Sequence, residues 1–153
     1  MKVTLIKIRP RTYQSADPPT DEWDSKNKIG QAVHADFKKV RNYAFLKKYF
    51  ALMNVAFDNW NPGEINSKYG VPEKNFERFR EDTTILAGYF HVVIRLDGST
   101  RIVADSISFA NMKEEAFAKL YSATIEVLLK HVYKSELSED ELNNIVDQYM
   151  SFA

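Results

Sequence analysis

The sequence predicts an α+β fold: a mostly antiparallel sheet of about four strands in two hairpins, packed against about four helices. Three observations predict it. Leu46, Phe50, Met53, Phe57 and Trp60 recur at steps of four, three, four and three, which lines large apolar side chains along one side of a helix. Apolar and polar residues alternate on both sides of Asp97-Gly98, a residue pair suited to the positive φ of a hairpin turn. Helix-start signals at Asn42, Asn111 and Ser138 separate the remaining apolar-periodic stretches, so that hairpins and helices segregate along the chain.

Composition narrows the class further. The chain has 153 residues, the size of a single domain that buries about 70% of its extended surface. Its 44% hydrophobic and 27% charged content is that of a globular protein rather than a disordered one. With no cysteine, disulfides, thiolate nucleophiles and thiolate metal sites are excluded. No apolar run approaches the roughly 20 residues of a membrane-spanning helix, and the opening MKVTLIKIRPR suits a strand better than a secretory signal. The expected setting is the cytoplasm, with no membrane partner.

In chain order, residues 2–9 read as a strand ended by Pro10, and residues 12–28, with Asp17-Pro18-Pro19-Thr20-Asp21, as a mobile loop. Residues 29–37 read as a second strand with Val33, Ala35 and Phe37 on one side. Asn42 offers a cap to a central helix over 43–59, which Asn61-Pro62-Gly63 stops. Pro72 and Glu73 suggest the start of a second helix reaching Ala87, with Phe76, Phe79, Thr83 and Leu86 inward and Gly88 as terminator. Its outer face offers Lys74 to Glu77, and Arg78 to Glu81 and Asp82. Residues 89–96 are expected to turn Phe90, Val92, Ile94 and Leu96 toward the core, and 100–109 to return beside them. Asn111 with Glu114 has the spacing of a capping box and opens a helix to about Tyr133. Ser138 with Glu141 repeats the device for a last helix carrying Leu142, Ile145, Val146 and Tyr149.

Little in the sequence carries catalytic chemistry. His34, His91 and His131 are far apart and none belongs to a metal-ligand spacing, so no metal and no cofactor are expected. The 5 glycines form no phosphate loop or dinucleotide fingerprint, and no nucleophile motif is present. Asp36-Phe37-Lys38 at an expected strand end has the acid and lysine of a Mg²⁺-dependent nuclease, without a partner carboxylate. The protein is accordingly read as a non-enzyme.

Charge is the stronger signal. Formal charge is zero overall, yet Lys38, Lys39, Arg41, Lys47 and Lys48 fall in a stretch, 37–57, with no acid. Together with Asn42 and Tyr43 they surround an expected helix N-terminus, whose free amides already favour anions, and they make a candidate nucleic-acid site. Tyr13, Tyr43 or Tyr49 would add base stacking if exposed. Toward the other end, Glu136, Glu139, Asp140, Glu141 and Asp147 occur with no base among residues 136–147, a candidate surface for a basic protein partner. For both sets the plain alternative is a solvated helix surface, and acids in a helix's first turn are locally stabilising.

Three blocks carry a family resemblance: ADFKKVRNYAFLKKYFALMNVAFDNW at 35–60, FERFREDTTILAGYFHVV at 76–93, and DGSTRIVADSISFANMKEEAFAKLYSATIEVL at 97–128. Together with the closing MSFA they resemble the phage and prophage family called domain of unknown function 1367. Members of that family are generally longer between the central helix and FERFR, where residues 61–75 here are short. The resemblance implies a gene product of a temperate phage, from an early region that encodes replication and recombination accessories. It implies no catalytic residues. RNYAFLKKYFAL is also similar to a helix start in the NinB recombination accessories, which bind single-stranded DNA, at Arg41, Lys47, Lys48 and Tyr49. The leading expectation is therefore a non-enzymatic accessory that binds nucleic acid, single-stranded DNA in preference. The alternatives are a counter-defence protein, an anti-CRISPR-like inhibitor of a host nucleic-acid-handling complex acting through its acidic helices, and a metal-dependent nuclease.

Overall fold

A computed structural model describes residues 3–16, 26–37, 42–108 and 111–152. The fold is α+β: four helices and four strands among the described residues, the strands forming two separate antiparallel hairpins. The chain divides into two compact units, Met1–Phe37 and Lys38–Ala153.

The first unit is built on β1 (Leu5–Arg9) and β2 (Thr12–Ser15). Their register runs from Leu5 opposite Ser15 to Arg9 opposite Thr12, with an irregularity between Lys7 and Arg9. Pro10 and Arg11 close the turn, Arg11 in the left-handed region at φ 60°. The partner of β1 is thus not the expected strand at 29–37, and residues 12–15 of the expected loop are that partner. A two-residue turn closes at less entropic cost than a loop of some twenty residues. Residues 29–37 have no regular structure and are exposed throughout. A turn in which Gln31 N–H donates to the Lys28 carbonyl, with Gly30 at φ 88°, interrupts the alternation there. The Phe37 ring still lies 5.4 Å from that of Tyr13.

The second unit holds the core. It contains α1 (Tyr43–Asn59), α2 (Phe76–Leu86), β3 (Phe90–Ile94), β4 (Thr100–Ala104), α3 (Glu114–His131) and α4 (Glu139–Phe152). Asn42 caps α1 as expected, its side chain accepting from Phe45 N–H at 3.2 Å. The deepest stripe of α1 is Tyr49, Leu52, Met53 and Ala56, rotated from the expected one. Leu46, Phe50, Phe57 and Trp60 pack against its flanks. Across from them stand Phe117, Leu120, Tyr121, Ile125 and Leu128 of α3, and Leu142 and Val146 of α4. Rings join the layers: Phe117 lies 5.0 Å from Phe45 and 5.4 Å from Tyr49.

Three helix boundaries depart from or sharpen the sequence reading. Helix α2 begins at Phe76, because Asn75 accepts from Arg78 N–H at 2.8 Å and Pro72 lies outside the helix. On its inner side Phe79, Thr83 and Thr84 are buried whereas Leu86 is exposed. Asn111 does not cap α3; its side chain donates to Ser108 Oγ, and Lys113 stands at the cap position without a side-chain hydrogen bond. Ser138 and Glu141 do form the reciprocal box, Glu141 Oε2 accepting from Ser138 N–H at 2.7 Å and Ser138 Oγ from Glu141 N–H at 3.2 Å.

The β3–β4 hairpin keeps the expected partners, Phe90 opposite Ala104 through Ile94 opposite Thr100. Its turn is a three-residue loop, since Gly98 N–H donates to the Arg95 carbonyl and Arg95 N–H to the Ser99 carbonyl. Only Gly98 needs positive φ there, at 83°. The Ser99 amide and hydroxyl donate to Asp97, holding its carboxyl below the usual carboxylate range. The expected burial of this strand is reversed: Phe90, Val92, Ile94 and Leu96 are exposed.

The two asparagines give opposite expectations. Asn75→Ala should destabilise by about 1 kcal/mol, the usual worth of an N-cap, and Asn111→Ala by no more than about 0.5 kcal/mol, as for a surface change. Urea unfolding of the two variants beside the parent measures both.

Candidate nucleic-acid interface

The basic segment meets the structure at the N-terminus of α1. Lys38, Lys39 and Arg41 lie outside the described residues. Asn42 is the cap, and its Oδ1 is committed to Phe45 N–H. Tyr43, the first residue of α1, is half-buried, and Lys47 Nζ sits 5.4 Å from the centre of its ring, within cation–π range. Lys47 is exposed. The first turn of α1 contains no acid, so the positive end of the helix dipole is uncompensated within the helix itself.

Lys48 behaves differently from its neighbour. One residue on, a helix turns by about a quarter of a revolution, which carries Lys48 toward α3 and α4. Its Nζ is 4.0 Å from Asp147 Oδ1 and 5.9 Å from the Tyr121 ring centre. The two adjacent lysines therefore do different things: Lys47 faces water, and Lys48 bridges to the acidic helix. Tyr49 is fully buried and has no face to offer a base. Burial also holds its phenol above the usual range, beside Thr84 and Arg80.

The acidic set is spread over one helix and its approach. Glu136 precedes α4, and Glu139, Asp140 and Glu141 form its first turn. All five acids, Asp147 included, are exposed. Glu141 is occupied by the capping box and Asp147 faces Lys48. Lys48 and Asp147, 99 residues apart in sequence, thus bring one basic and one acidic residue of the two sets into contact. Asp36 lies in the irregular stretch rather than at a strand end. No group of three or more His, Asp or Glu that could hold a metal ion occurs among the described residues. His91 Nδ1 is 2.8 Å from Asp105 Oδ1 across the hairpin.

Two arrangements escape the sequence reading. Lys74 does not pair with Glu77; its ammonium donates to the carbonyls of Phe57 at 2.6 Å and Trp60 at 2.8 Å, the open C-terminal end of α1, and lies 4.6 Å from the Phe57 ring centre. A lysine 14 and 17 residues beyond those carbonyls leaves no periodic signal. Glu77 instead pairs with Arg80 at 3.0 Å, while Arg78 reaches Asp82 at 3.1 Å and Glu81 at 3.7 Å as the spacing suggests. Beside Lys74, a shallow cleft of about 380 Å³ is lined by Trp60, Pro62, Glu64, Val71 and Pro72.

Among the described residues no helix is long and apolar enough to cross a membrane. A family model described as "Protein of unknown function (DUF1367)" matches residues 1–70 and 64–152. The two matched segments overlap within the short connection 61–75. No curated protein and no solved structure matches the chain.

Tyr121, under Lys48, gives this region a pH signature. Burial first, then the charges of Asp147 and Glu139, push its phenol from 10.0 up to about 12. Because the folded state holds the proton more tightly, this contribution is fully present below pH 10 and lost as pH rises from 10 to about 12. Its hydroxyl is buried without a hydrogen-bond partner among the described residues. Tyr121→Phe should therefore be at least as stable as the parent at neutral pH, and should lose less stability up to about pH 12. Urea midpoints across that range measure both; an unchanged alkaline slope refutes the assignment.

Proposed function

The chain belongs to the DUF1367 family, and on that premise we propose that it is a phage-encoded, non-enzymatic accessory that binds the sugar–phosphate backbone of nucleic acid, single-stranded DNA in preference. Contact is made at the start of α1 by Lys38, Lys39, Arg41, Asn42, Tyr43 and Lys47, with Lys48 in a lesser part because Asp147 already faces it. The observation that carries this reading is the set of five cations across 38–48, uninterrupted by an acid, three before and two within a helix whose first turn is also free of acids. Helix amides and side-chain cations then act on the same phosphates. The large aromatic and aliphatic residues of α1 are engaged in the core, so the helix is a fixed support for the charges at its start. Replication and recombination accessories handle single strands, and a small module with a cationic helix start suits that work.

A second reading rests on the exposed acids Glu136, Glu139 and Asp140. In it the protein is a counter-defence inhibitor that occupies the basic groove of a host nucleic-acid-handling complex. Capture of a defence-complex subunit that is lost with Glu139→Lys plus Asp140→Lys, in a protein without oligonucleotide affinity, favours this reading.

Fluorescence anisotropy with a labelled single-stranded oligonucleotide tests the first. Binding should weaken with salt, and Lys39→Glu with Lys47→Glu should lower the log–log salt slope by about 1.4, or about 0.7 for each lost phosphate contact. Lys48→Gln should change it least. Absence of binding at low salt, or an affinity and slope untouched by the double variant, overturns the proposal.

A further inference from the structure

The β3–β4 hairpin turns its apolar side to water. Phe90, Val92 and Ile94 alternate along β3 and stand opposite Ala104, Ile102 and Thr100 of β4, so all six share one face of the two-stranded sheet. Val92 is 59% and Ile94 79% exposed, Phe90 and Ile102 nearly half exposed, and Leu96 at the tip wholly so. Single exposed apolar residues are ordinary; four on one face, with Leu96 next to them in the turn, are not. Together they leave on the order of 600 Å² of apolar surface in water, at the upper end of what a monomer usually shows. The patch sits on ordered backbone. The register is continuous over five pairs, and the hairpin base is tied down by Asp105 N–H to the Tyr89 carbonyl at 3.0 Å and Tyr89 N–H to the Thr84 carbonyl at 3.1 Å.

We propose that this face is the interface of a homodimer, packed face to face on the same hairpin of a second copy. Area is the first argument. About 600 Å² from each copy removes about 1,200 Å² in total, the lower edge of the range for specific interfaces. Relief is the second. The β3 row is large throughout, whereas the β4 row is low at both ends, Ala104 and Thr100, with Ile102 between. A two-fold axis along the strand direction, midway between the faces, lays β3 of each copy over β4 of the other. Phe90 then sits over Ala104 and Ile94 over Thr100, with Val92 against Ile102 in the middle. An isologous contact requires a patch complementary to itself, and this one is. Charge is the third. None of the six residues is charged, while Arg95 and Asp97 border the face at the tip, and the opposite side of the sheet carries His91 and Arg101 beside Val93 and Val103. An uncharged centre with a polar margin is the composition of an interface core.

Sedimentation velocity of the full chain over about 1 to 200 µM should show a monomer–dimer equilibrium, since the low end of the interface size range is where transient associations sit. Val92→Lys with Ile94→Lys should be monomeric at every concentration and keep its far-UV circular dichroism, both positions being solvated in one copy. Ile94→Thr alone should weaken association. Ile94→Thr with Thr100→Ile exchanges large and small across the two-fold and should restore it. A parent that stays monomeric at the highest concentration overturns the proposal, and so does a dimer that survives the double lysine change. Failure of the exchanged pair to regain association does so as well.

Discussion

The stripe Tyr49, Leu52, Met53 and Ala56 on α1 is what the second unit is assembled around. Removing side chains of this size from water is worth about 1.5–3 kcal/mol each for the larger ones, and α1 supplies several at once. Ala56 matters for its smallness as much as the others for their bulk, since it lies fully buried among them. The flanking rings Phe45, Phe57 and Trp60 widen the stripe. Phe45 and Tyr49 reach Phe117 and Tyr121 on α3, while Phe57 and Trp60 reach Phe76 and Phe79 on α2. One helix therefore meets the others through different sets of residues.

That arrangement has an electrostatic result. Because α1 and α4 pack together, Lys48 of the basic segment and Asp147 of the acidic one are neighbours. Lys48 spends part of its charge on Asp147 and part of its stem on the Tyr121 ring. A pair this open contributes at most about 1 kcal/mol. Its larger effect is to sort the cations: Lys47 retains its field for solvent, and Lys48 is directed inward. Any anion approaching α1 meets a surface narrower than the run of lysines in the sequence suggests.

How much of this was legible varies with the kind of signal. Local rules worked where a side chain acts on its own turn: Asn42, Gly88 and the Ser138–Glu141 box do what their spacing indicates. They failed where two nearby residues compete. Asn75 rather than Pro72 starts α2, and Asn111 is taken by Ser108. Periodicity located α1 and the β3–β4 hairpin but not their facing. In α1 four of the five residues of the expected row, Leu46, Phe50, Phe57 and Trp60, flank the buried stripe, since the adjacent row is apolar too. In β3 alternation states which side chains share a face, not whether anything covers it. Residues 29–37 alternate as well as β3 does and form no strand, for want of the local partner that 12–15 gives β1. Candidate site residues were readable as charges only; that Lys47 and Lys48 diverge depends on the neighbouring helices.

Lys74 has a consequence for length. By holding the end of α1 to the approach of α2 it pins both feet of the excursion between residues 61 and 73. Once the feet of a loop are fixed, doubling its length adds only about 0.6 kcal/mol of closure entropy. Segments of very different size can be spliced there without disturbing the helices on either side, which makes this arch the natural place for sequence to be gained or shed.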